Sequence, residues 1–577
     1  MRYRDALAAF HSTLAHGLRA RLAEGYRAAD LRADLMAGLV VGVVALPLSM
    51  ALAIASGVAP QQGLYTAIVA GIACALLGGT QFQITGPTAA FVVILLPVVR
   101  DFGPAGLLVA GLLAGVIQVG MGLARLGRLM TFIPHPVTTG FTAGIALVIA
   151  VLQLKDVLGL SFERPPVDFF DRIALLWHAR GSASWREAAV AAFTLALLIL
   201  VPRWTRKVPA PLVALVAAAG AAALLGHLIG FDVATIGSRY GGIPQEPPAP
   251  LLPWHLPGPG GGALSLDLAM VRALLPSAFA IAMLGAIESL LAAVVGDTMA
   301  GTSHEPNSEL IALGIGNILC PFFGGIPATG ALARTATNIN AGARSPLSSV
   351  VHALFVLTCT IALAPLVSYL PMAAMGALLL LVARNMSEAR HFAHLVRVAP
   401  RSDVVVLLTC FGLTVVFDMV IAVTIGVVLA ALLFMRRMAE ITNTRMDTAA
   451  AAHLDLPRGV RVFEIAGPLF FGAAQKAVSV LERVQGERGG AVVLDLSRVP
   501  VMDATGLVAF ETLLGKLGRR GHKVILVGVN PQPAEILERA GIRRTPGKLA
   551  FAPDVETALS MAIVHEARSD GATPATA

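Results

Sequence analysis

Two short segments and two charged side chains, all within apolar sequence, are the features of this chain that could do chemistry. Residues 83–90 (QITGPTAA) and 326–335 (IPATGALART) each follow a glycine pair. Each is about half as long as a membrane span. Between and within them lie Glu288 and Arg334, whose charges are unusual in such apolar surroundings.

A helix that begins inside a bilayer exposes unpaired backbone N–H groups and a partial positive charge. Lipid cannot satisfy those groups, so they must line a cavity within the protein. We predict that the N–H groups of residues 88–90 and 330–332 converge on one anion, with Thr88, Ala89, Gly330 and Ala331 at the two helix starts. Alternatively, the Gly–Pro pair at 86–87 only kinks a complete span.

The two charged side chains each allow more than one interpretation. A carboxylate in the middle of a span, such as Glu288, costs about 3 kcal/mol on insertion scales and needs a partner or a proton. Glu288 is therefore a candidate for proton coupling, or else a satisfied interhelical hydrogen-bond partner. Arg334, one turn into the second short helix, would supply positive potential near the anion; alternatively it pairs with Glu288 or snorkels to the interface.

Bulk composition indicates a polytopic membrane protein. The 577 residues are 56% hydrophobic and only 14% charged, with a mean hydropathy of +0.77, whereas soluble proteins carry about 25% charged residues. The net charge of +8 comes from basic residues at predicted span ends, without the stripe that nucleic-acid binding requires. No phosphate-binding loop or nucleophile–base set is visible. We therefore expect no enzyme activity, no catalytic residue, no cofactor, no metal and no nucleic-acid partner.

The predicted organisation is a cytoplasmic segment 1–33 followed by a transport domain at 34–437. An even number of spans returns the chain to its starting side, and the basic residues concentrate in loops on that side, so both termini are predicted to be cytoplasmic. The candidate spans, two of them short, are residues 34–55, 63–79, 86–99, 104–124, 132–154, 187–203, 208–230, 271–296, 309–323, 328–341, 346–368, 371–386, 402–417 and 419–435. The Pro-rich and Gly-rich stretch 231–268 is predicted to be a connector without helix.

An internal repeat favours two related halves. The sequence CALLGG at 74–79 precedes the first short segment, and CPFFGG at 320–325 precedes the second. With seven spans on either side of about residue 268, the halves would be inverted relative to each other. Alternatively, the similarity is chance among small apolar residues.

The C-terminal part reads as a separate soluble domain at 456–566, before a small polar tail at 567–577 that is predicted to be disordered. Strand-like runs at 460–465, 491–496 and 523–527 alternate with helical patterns at 473–484, 505–519 and 533–540. This alternation is typical of a small α/β domain with one sheet.

Several motifs resemble those of the SulP family of anion transporters. They are ALP at 45–47, ASGVAPQQGLY at 55–65, ITGPT at 84–88, IESLL at 287–291, RTATN at 334–338 and AGAR at 341–344. The run DATGL at 503–507 resembles the centre of a STAS domain, which commonly ends SulP proteins. The resemblance covers essentially the whole chain and implies a seven-plus-seven inverted repeat shared with uracil permeases. In that fold a core domain (about 34–124 and 271–368) carries the site and slides against a gate domain (about 132–230 and 371–435), usually in a homodimer.

The resemblance also implies roles for single residues. Substrate contacts fall on Thr88, Gly330, Ala331 and Leu332, although relatives carry a hydroxyl where this chain has Leu332. Sodium-using relatives pair an Asp with a Thr one turn later; this chain has Glu288 and Ala292 there, which favours protons over sodium.

Two further positions bear on substrate and regulation. Many sulfate-transporting relatives carry a Gln after Pro47, whereas Leu48 follows here, which favours a less polar site wall. Thr505 matches a phosphorylated Ser of regulatory STAS proteins, and Asp503 matches the neighbouring acid; alternatively Thr505 is a helix cap. A cytoplasmic protein partner at this domain follows from the same resemblance.

The sequence thus predicts a secondary active transporter of small inorganic anions in a bacterial inner membrane. Sulfate is placed first, by proton-coupled symport or anion exchange with an elevator-type movement in a homodimer surrounded by lipid. Bicarbonate and C4-dicarboxylates are the alternative substrates. A membrane-anchored STAS sensor that moves no solute is the alternative of a different class, and a nucleobase permease fits poorly because a neutral base has less use for Arg334.

Overall fold

The chain forms two compact units, Met1–Val427 and Val428–Ala577. The computed structural model describes residues 14–130, 134–162, 168–205, 209–256, 258, 262, 267–417, 419–441, 443–446, 459–470 and 490–569. The first unit is helical apart from two very short strands, and the second is built around a β-sheet.

Within the described residues, most helices of the first unit follow one another with short connections, and a long one precedes the helix that begins at Leu268. They are α1 (His16–Ala23), α2 (Ala28–Ala55), α3 (Pro60–Leu77), α4 (Ala89–Leu123), α5 (Gly127–Met130), α6 (His135–Leu158), α7 (Phe169–His178), α8 (Trp185–Trp204), α9 (Ala210–Ile229), α10 (Ile236–Tyr240), α11 (Leu268–Ala300), α12 (Pro306–Leu319), α13 (Leu332–Asn340), α14 (Leu347–Val367), α15 (Met372–Ser387), α16 (Ala389–Val398) and α17 (Arg401–Val416), and α18 (Met419–Ile441) runs across the boundary between the units. Strands β1 (Thr85–Gly86) and β2 (Thr329–Gly330) precede α4 and α13.

Eight of these helices, in the part of the chain that the structure describes, are long and apolar enough to cross a membrane: α2, α3, α4, α6, α8, α9, α11 and α14. The predicted helical membrane protein is thereby confirmed. The count of fourteen spans and the inverted relation of the halves stay predictions.

Helix α4 contains a break at a glycine. Gly103 has φ 70° and ψ 177°, a conformation outside the helical region, and Pro104 follows it. Only glycine adopts such a backbone readily. The two spans predicted at 86–99 and 104–124 are therefore the two parts of one interrupted helix.

The connector at 231–268 is not free of helix, so that prediction was wrong. Helix α10 begins after Thr235, whose side chain accepts a hydrogen bond from Ser238 N, while the Ser238 side chain accepts one from Thr235 N. This reciprocal capping box stabilises a helix start. The surrounding prolines obscure that local signal in the sequence.

Helices α4 and α12 pack with their backbones in close contact. A methyl group on Gly115 would lie 2.6 Å from the Gly314 carbonyl oxygen, and one on Gly314 would lie 2.7 Å from the Gly115 oxygen. Small residues permit this approach in membrane proteins, where close packing drives helix association. The contact fixes α12, whose polar side chains reach the candidate site.

The second unit carries a sheet with the strand order β3-β4-β5-β6-β7. Its elements are β3 (Asn443–Met446), β4 (Val460–Ala466), β5 (Ala491–Asp495), β6 (Lys523–Val527), β7 (Leu549–Ala552), α19 (Ala504–Arg519), α20 (Pro531–Arg539) and α21 (Val555–Ser569). Strands β3 and β4 are antiparallel, and the other neighbours are parallel. The predicted small α/β domain is thereby confirmed.

Both faces of this sheet are covered by apolar side chains. Val492 and Leu494 of β5 pack with Phe510 of α19 on one face, whereas Val493 packs with Leu559 of α21 on the other. Such alternation along a strand is the pattern of a sheet buried on both sides.

The element bounds differ from the prediction at a few ends. The helical pattern predicted at 473–484 lies outside the described residues. Helix α21 continues to Ser569, inside the tail predicted from residue 567. At the other end, α2 begins at Ala28, inside the predicted N-terminal segment 1–33.

The contact between α4 and α12 predicts that substitutions at two glycines of α4 differ in their effect on stability. Gly115→Ala should lower the free energy of unfolding by about 1–3 kcal/mol, because the methyl group meets backbone that cannot move aside alone. Gly120→Ala is the matched control, since no atom lies within 4 Å of a methyl group there. Thermal unfolding of the full chain in detergent measures both, and equal shifts for the two variants would contradict this account of the packing.

Candidate functional site

The two short segments that the sequence singled out meet as a pair of strands. Strands β1 and β2 are antiparallel, with Thr85 opposite Gly330 and Gly86 opposite Thr329. The Ala331 N–H extends the pairing by donating to the Ile84 carbonyl oxygen at 2.8 Å. All of these residues are buried. The pairing satisfies backbone groups that lipid could not satisfy.

Each strand leads directly into a helix whose first turn is not capped by a side chain. Helix α4 follows Thr88 and helix α13 follows Ala331; neither of these N-cap residues makes a side-chain cap hydrogen bond in the described structure. Pro87 lies before the N-cap Thr88, outside the helix. The first-turn N–H groups and the positive ends of two helices therefore lie beside the paired strands β1 and β2. We call this pair of strands, with the two helix starts that follow them, the crossing.

The donors at the second helix start are shifted by two residues from the prediction. Ala331 uses its N–H on Ile84, and its carbonyl oxygen accepts from Thr335 N at 2.8 Å, so it offers a ligand no donor. The first-turn donors of α13 belong to residues 332–334. Leu332 itself is 38% exposed.

Thr88 and Glu288 connect the first helix start to the middle of α11. The Thr88 hydroxyl donates to a carboxylate oxygen of Glu288 at 2.9 Å. Thr88 is buried, and Glu288 is only partly buried. An interhelical hydrogen bond is thus present at Glu288, and its role in coupling stays a prediction.

Arg334 is a buried cation at the crossing. Its side chain is 2% exposed, and its Nη2 donates to the Pro87 carbonyl oxygen. Its Nε and Nη1 have no hydrogen-bond partner among the described residues, and no ion pair joins it to Glu288 there. The snorkelling interpretation is therefore wrong. A buried guanidinium with unpaired donors is costly unless an anion completes it.

Two polar residues of α12 form hydrogen bonds to the segments that precede β1 and β2. Neither was identified from the sequence. Asn317 Oδ1 accepts from Ala328 N at 2.7 Å, and Asn317 Nδ2 donates to the Ala328 carbonyl at 3.0 Å. The same amide donates to Gln118 on α4 at 2.9 Å. Asn317 thus replaces the backbone partners that the extended segment before β2 lacks.

Glu309 plays the corresponding part for the segment before β1. Its carboxylate accepts from Gly79 N at 3.0 Å and from Gln83 Nε2 at 2.6 Å, and Ser289 also donates to it. Gln83 Nε2 lies 2.6 Å from Ser289 Oγ as well. The rule that drew attention to Glu288, that acids inside a membrane are functional or paired, would also have found Glu309.

The remaining predicted site residues fall into two groups. Ala89 and Gly330 are buried at the crossing beside Thr88 and Ala331. Asp503 and Thr505 instead belong to the second unit. Asp503 Oδ1 accepts from Gly506 N at 2.7 Å and is the N-cap of α19, so the cap interpretation of the exposed Thr505 is wrong; the regulatory role of both stays a prediction.

Two known protein families match almost the whole chain. Residues 31–410 match the model of the sulfate permease family, and residues 451–558 match that of the STAS domain. The "Putative sulfate transporter YvdB" of Bacillus subtilis (strain 168) is 40% identical over 500 residues, which cover 86% of this chain and 91% of that protein. The "Bicarbonate transporter BicA" of Synechocystis sp. (strain ATCC 27184 / PCC 6803 / Kazusa) is 29% identical over 514 residues, with coverages of 84% and 85%.

Solved structures share the fold. The structure described as the overall structure of SLC26A9 superposes with a TM-score of 0.81 at 19% identity, covering 99% of this chain and 95% of that chain. The transmembrane domain of a cyanobacterial bicarbonate transporter BicA superposes with a TM-score of 0.60 at 27% identity, covering 70% and 98%.

The role of Asn317 predicts a graded loss of stability in two variants. Asn317→Leu removes both hydrogen bonds to Ala328 and leaves two backbone groups unpaired, which should lower the free energy of unfolding by about 2–4 kcal/mol. Asn317→Asp keeps the acceptor for Ala328 N and should lose less. Thermal unfolding of the wild type and the two variants measures the series. An equal loss of stability in the Asp and Leu variants would contradict separate contributions of the donor and the acceptor to stability.

Proposed function

Because this chain belongs to the sulfate permease family of membrane anion transporters, we propose that it moves sulfate across the bacterial inner membrane as a secondary active transporter. The architecture is that of a transporter and not of an enzyme. We propose in addition that protons drive or accompany the movement, and that an elevator-type displacement carries the site.

The observation that supports this proposal most directly is the set of unpaired donors at the crossing. Arg334 presents Nε and Nη1 without a partner among the described residues, next to two uncapped helix starts. Each helix start contributes about half a positive charge. Charge-assisted hydrogen bonds from a guanidinium and from backbone N–H groups suit a small oxyanion. A neutral solute would leave the positive charge uncompensated.

The position of Glu288 supports the proposed coupling to protons. Its carboxylate is bonded to Thr88, the N-cap of the helix that would bind the anion. A negative charge at that point repels an incoming anion, and protonation of the carboxyl group removes the repulsion. Anion and proton would therefore bind with mutual preference. Ala292, one turn further along α11, offers no hydroxyl for a sodium ion.

Helix packing supports the proposed division into a core and a gate. Helix α4 packs against α11 and α12, and α14 packs against α2 and α3, all within the core as predicted. Helix α6 packs against α15 and α17, and α8 against α9, all within the gate. By analogy with the family, we propose that the core moves against the gate and that the protein is a homodimer. Both termini would be cytoplasmic.

Bicarbonate is the second candidate substrate, and Leu332 favours it. This exposed apolar side chain stands at the start of α13, so the site wall offers one hydroxyl fewer to a tetrahedral dianion. Leu48, after Pro47, acts in the same direction. The similarity to a relative named as a bicarbonate transporter agrees with this second candidate.

Counterflow in proteoliposomes tests the function. Vesicles loaded with unlabelled sulfate, bicarbonate or succinate receive the same labelled anion outside, with Na⁺ and pH gradients imposed separately. Transient accumulation of labelled sulfate, dependent on the pH gradient and not on Na⁺, is the expected result. Accumulation of bicarbonate or succinate alone would show that this anion, and not sulfate, is the substrate. Accumulation of no solute would favour the STAS sensor instead.

The hypothesis for Glu288 predicts a separation of coupling from exchange. Glu288→Gln should abolish uptake driven by a pH gradient, because the amide cannot take up or release the proton, while anion exchange continues. Glu187→Gln is the matched control: this buried carboxylate on α8 accepts from Ala234 N at 2.7 Å, away from the crossing. Gradient-driven accumulation that is unchanged in the Glu288 variant would remove the proton role.

A further inference from the structure

A second cavity lies away from the crossing, at the C-terminal ends of α2 and α6. Its volume is about 270 Å³, ample for a hydrated small anion. Its polar lining consists of Gln153, Lys155, Asp156, Arg172, Arg239 and Tyr240. Helix α2 starts at Ala28 on the side of the N-terminus, so the cavity opens at the opposite face of the membrane.

The side chains that line this cavity include three cations, Lys155, Arg172 and Arg239, and one acid, Asp156. Arg239 is neutralised by Asp156, with an N–O distance of 2.7 Å. Lys155 adds a positive charge whose Nζ donates to the Phe162 carbonyl oxygen at 3.2 Å and lies 4.5 Å from the centre of that ring. Arg172 is only 6% exposed, and burial lowers the pKa of its guanidinium. A cleft with one sign of charge and apolar walls concentrates ions of the opposite sign.

A buried amide in the cavity points independently to a ligand. Gln153 is 4% exposed and lines the cavity. Its side chain has no hydrogen-bond partner among the described residues, although buried polar groups are normally paired. A carboxamide NH₂ group is a donor for an oxyanion. Together with Lys155 it forms a built site and not only a surface charge.

The cavity lies on the line that leads to the crossing. Leu96, on its wall, follows Thr88 on α4 by eight residues, which is about 12 Å of helix. The apolar side chains of Val93, Val148 and Leu152 pack together beside it. Val93 lies on α4 between Thr88 and Leu96 and belongs to the proposed core, whereas Val148 and Leu152 lie on α6 and belong to the proposed gate.

We propose that this cavity is a second anion site, a vestibule in which the small oxyanion that the protein transports is bound before it reaches the start of α4. This role rests on the proposed function. In the proposed topology the vestibule faces the periplasm. Displacement of α4 against α6 would open the apolar contact and pass the anion on.

Transport measured from each face of the membrane tests the vestibule. Right-side-out and inverted membrane vesicles that contain the full chain receive labelled sulfate at concentrations far below and far above saturation. Lys155→Gln and Gln153→Leu should each lower the rate at low sulfate by about tenfold from one face only. The rate from the other face and the saturated rate should not change, and both serve as internal checks of folding.

Two controls make the comparison specific. Lys155→Arg keeps the charge and should restore the rate at low sulfate. Arg180→Gln removes a positive charge after α7, from an exposed side chain that stacks on Trp177 and does not line the cavity, and should have no effect. Vesicles of phosphatidylcholine alone separate a soluble anion from an anionic lipid headgroup, which has the same chemistry: the effect of Lys155→Gln must persist there.

The outcomes that overturn the vestibule differ from those that overturn the proposed function. Equal rates for wild type and both variants from both faces, or equal losses from both faces, would overturn the vestibule alone. So would an effect that disappears in phosphatidylcholine, because the cavity would then bind lipid. Absence of anion transport by the wild-type protein would overturn the proposed function, and with it the role of the cavity.

Discussion

The antiparallel contact between β1 and β2 is the constraint on which the rest of the site depends. Two chain segments become extended inside the membrane, where an unpaired peptide group costs several kcal/mol. Each segment partly satisfies the other, with Ala331 N donating to Ile84 O. Asn317 and Glu309 supply the partners that two such short strands cannot provide. Polar side chains of α12 are therefore needed at membrane depth for structural reasons, before any question of transport arises.

Small residues make this arrangement compact enough to bring charge and backbone together. A methyl group on Gly330 would lie 2.3 Å from Gln83 Nε2, and one on Gly86 would lie 2.7 Å from Arg334 Nη1. The absence of side chains there lets the guanidinium reach across to the carbonyl of Pro87. Positive potential at the crossing thus comes from three sources, two helix ends and one arginine, whose positions depend on the same close packing.

The distribution of charge also suggests a route through the first unit. Glu288 contributes the acidic group beside Thr88, whereas Lys155 and Arg172 give the distant cavity its positive character. Apolar side chains of α4 and α6 pack together beside the cavity. An anion would meet a cationic entrance, an apolar barrier and a site whose positive potential is modulated by one carboxyl group. Such an order fits a protein in which movement of helices, and not an open pore, decides passage.

Features that depend on neighbouring residues could be predicted from the sequence. Glycine, proline and the half-length apolar segments located both helix starts within a residue, because backbone conformation and capping are local properties. The alternating runs located β4, β5 and β6 for the same reason. The packed structure was needed to show that Ile84 pairs with Ala331, that Asn317 anchors Ala328 and that Arg334 bonds to Pro87 rather than to Glu288. These contacts join elements that are distant along the chain, and they follow from how whole helices pack, which no local pattern encodes.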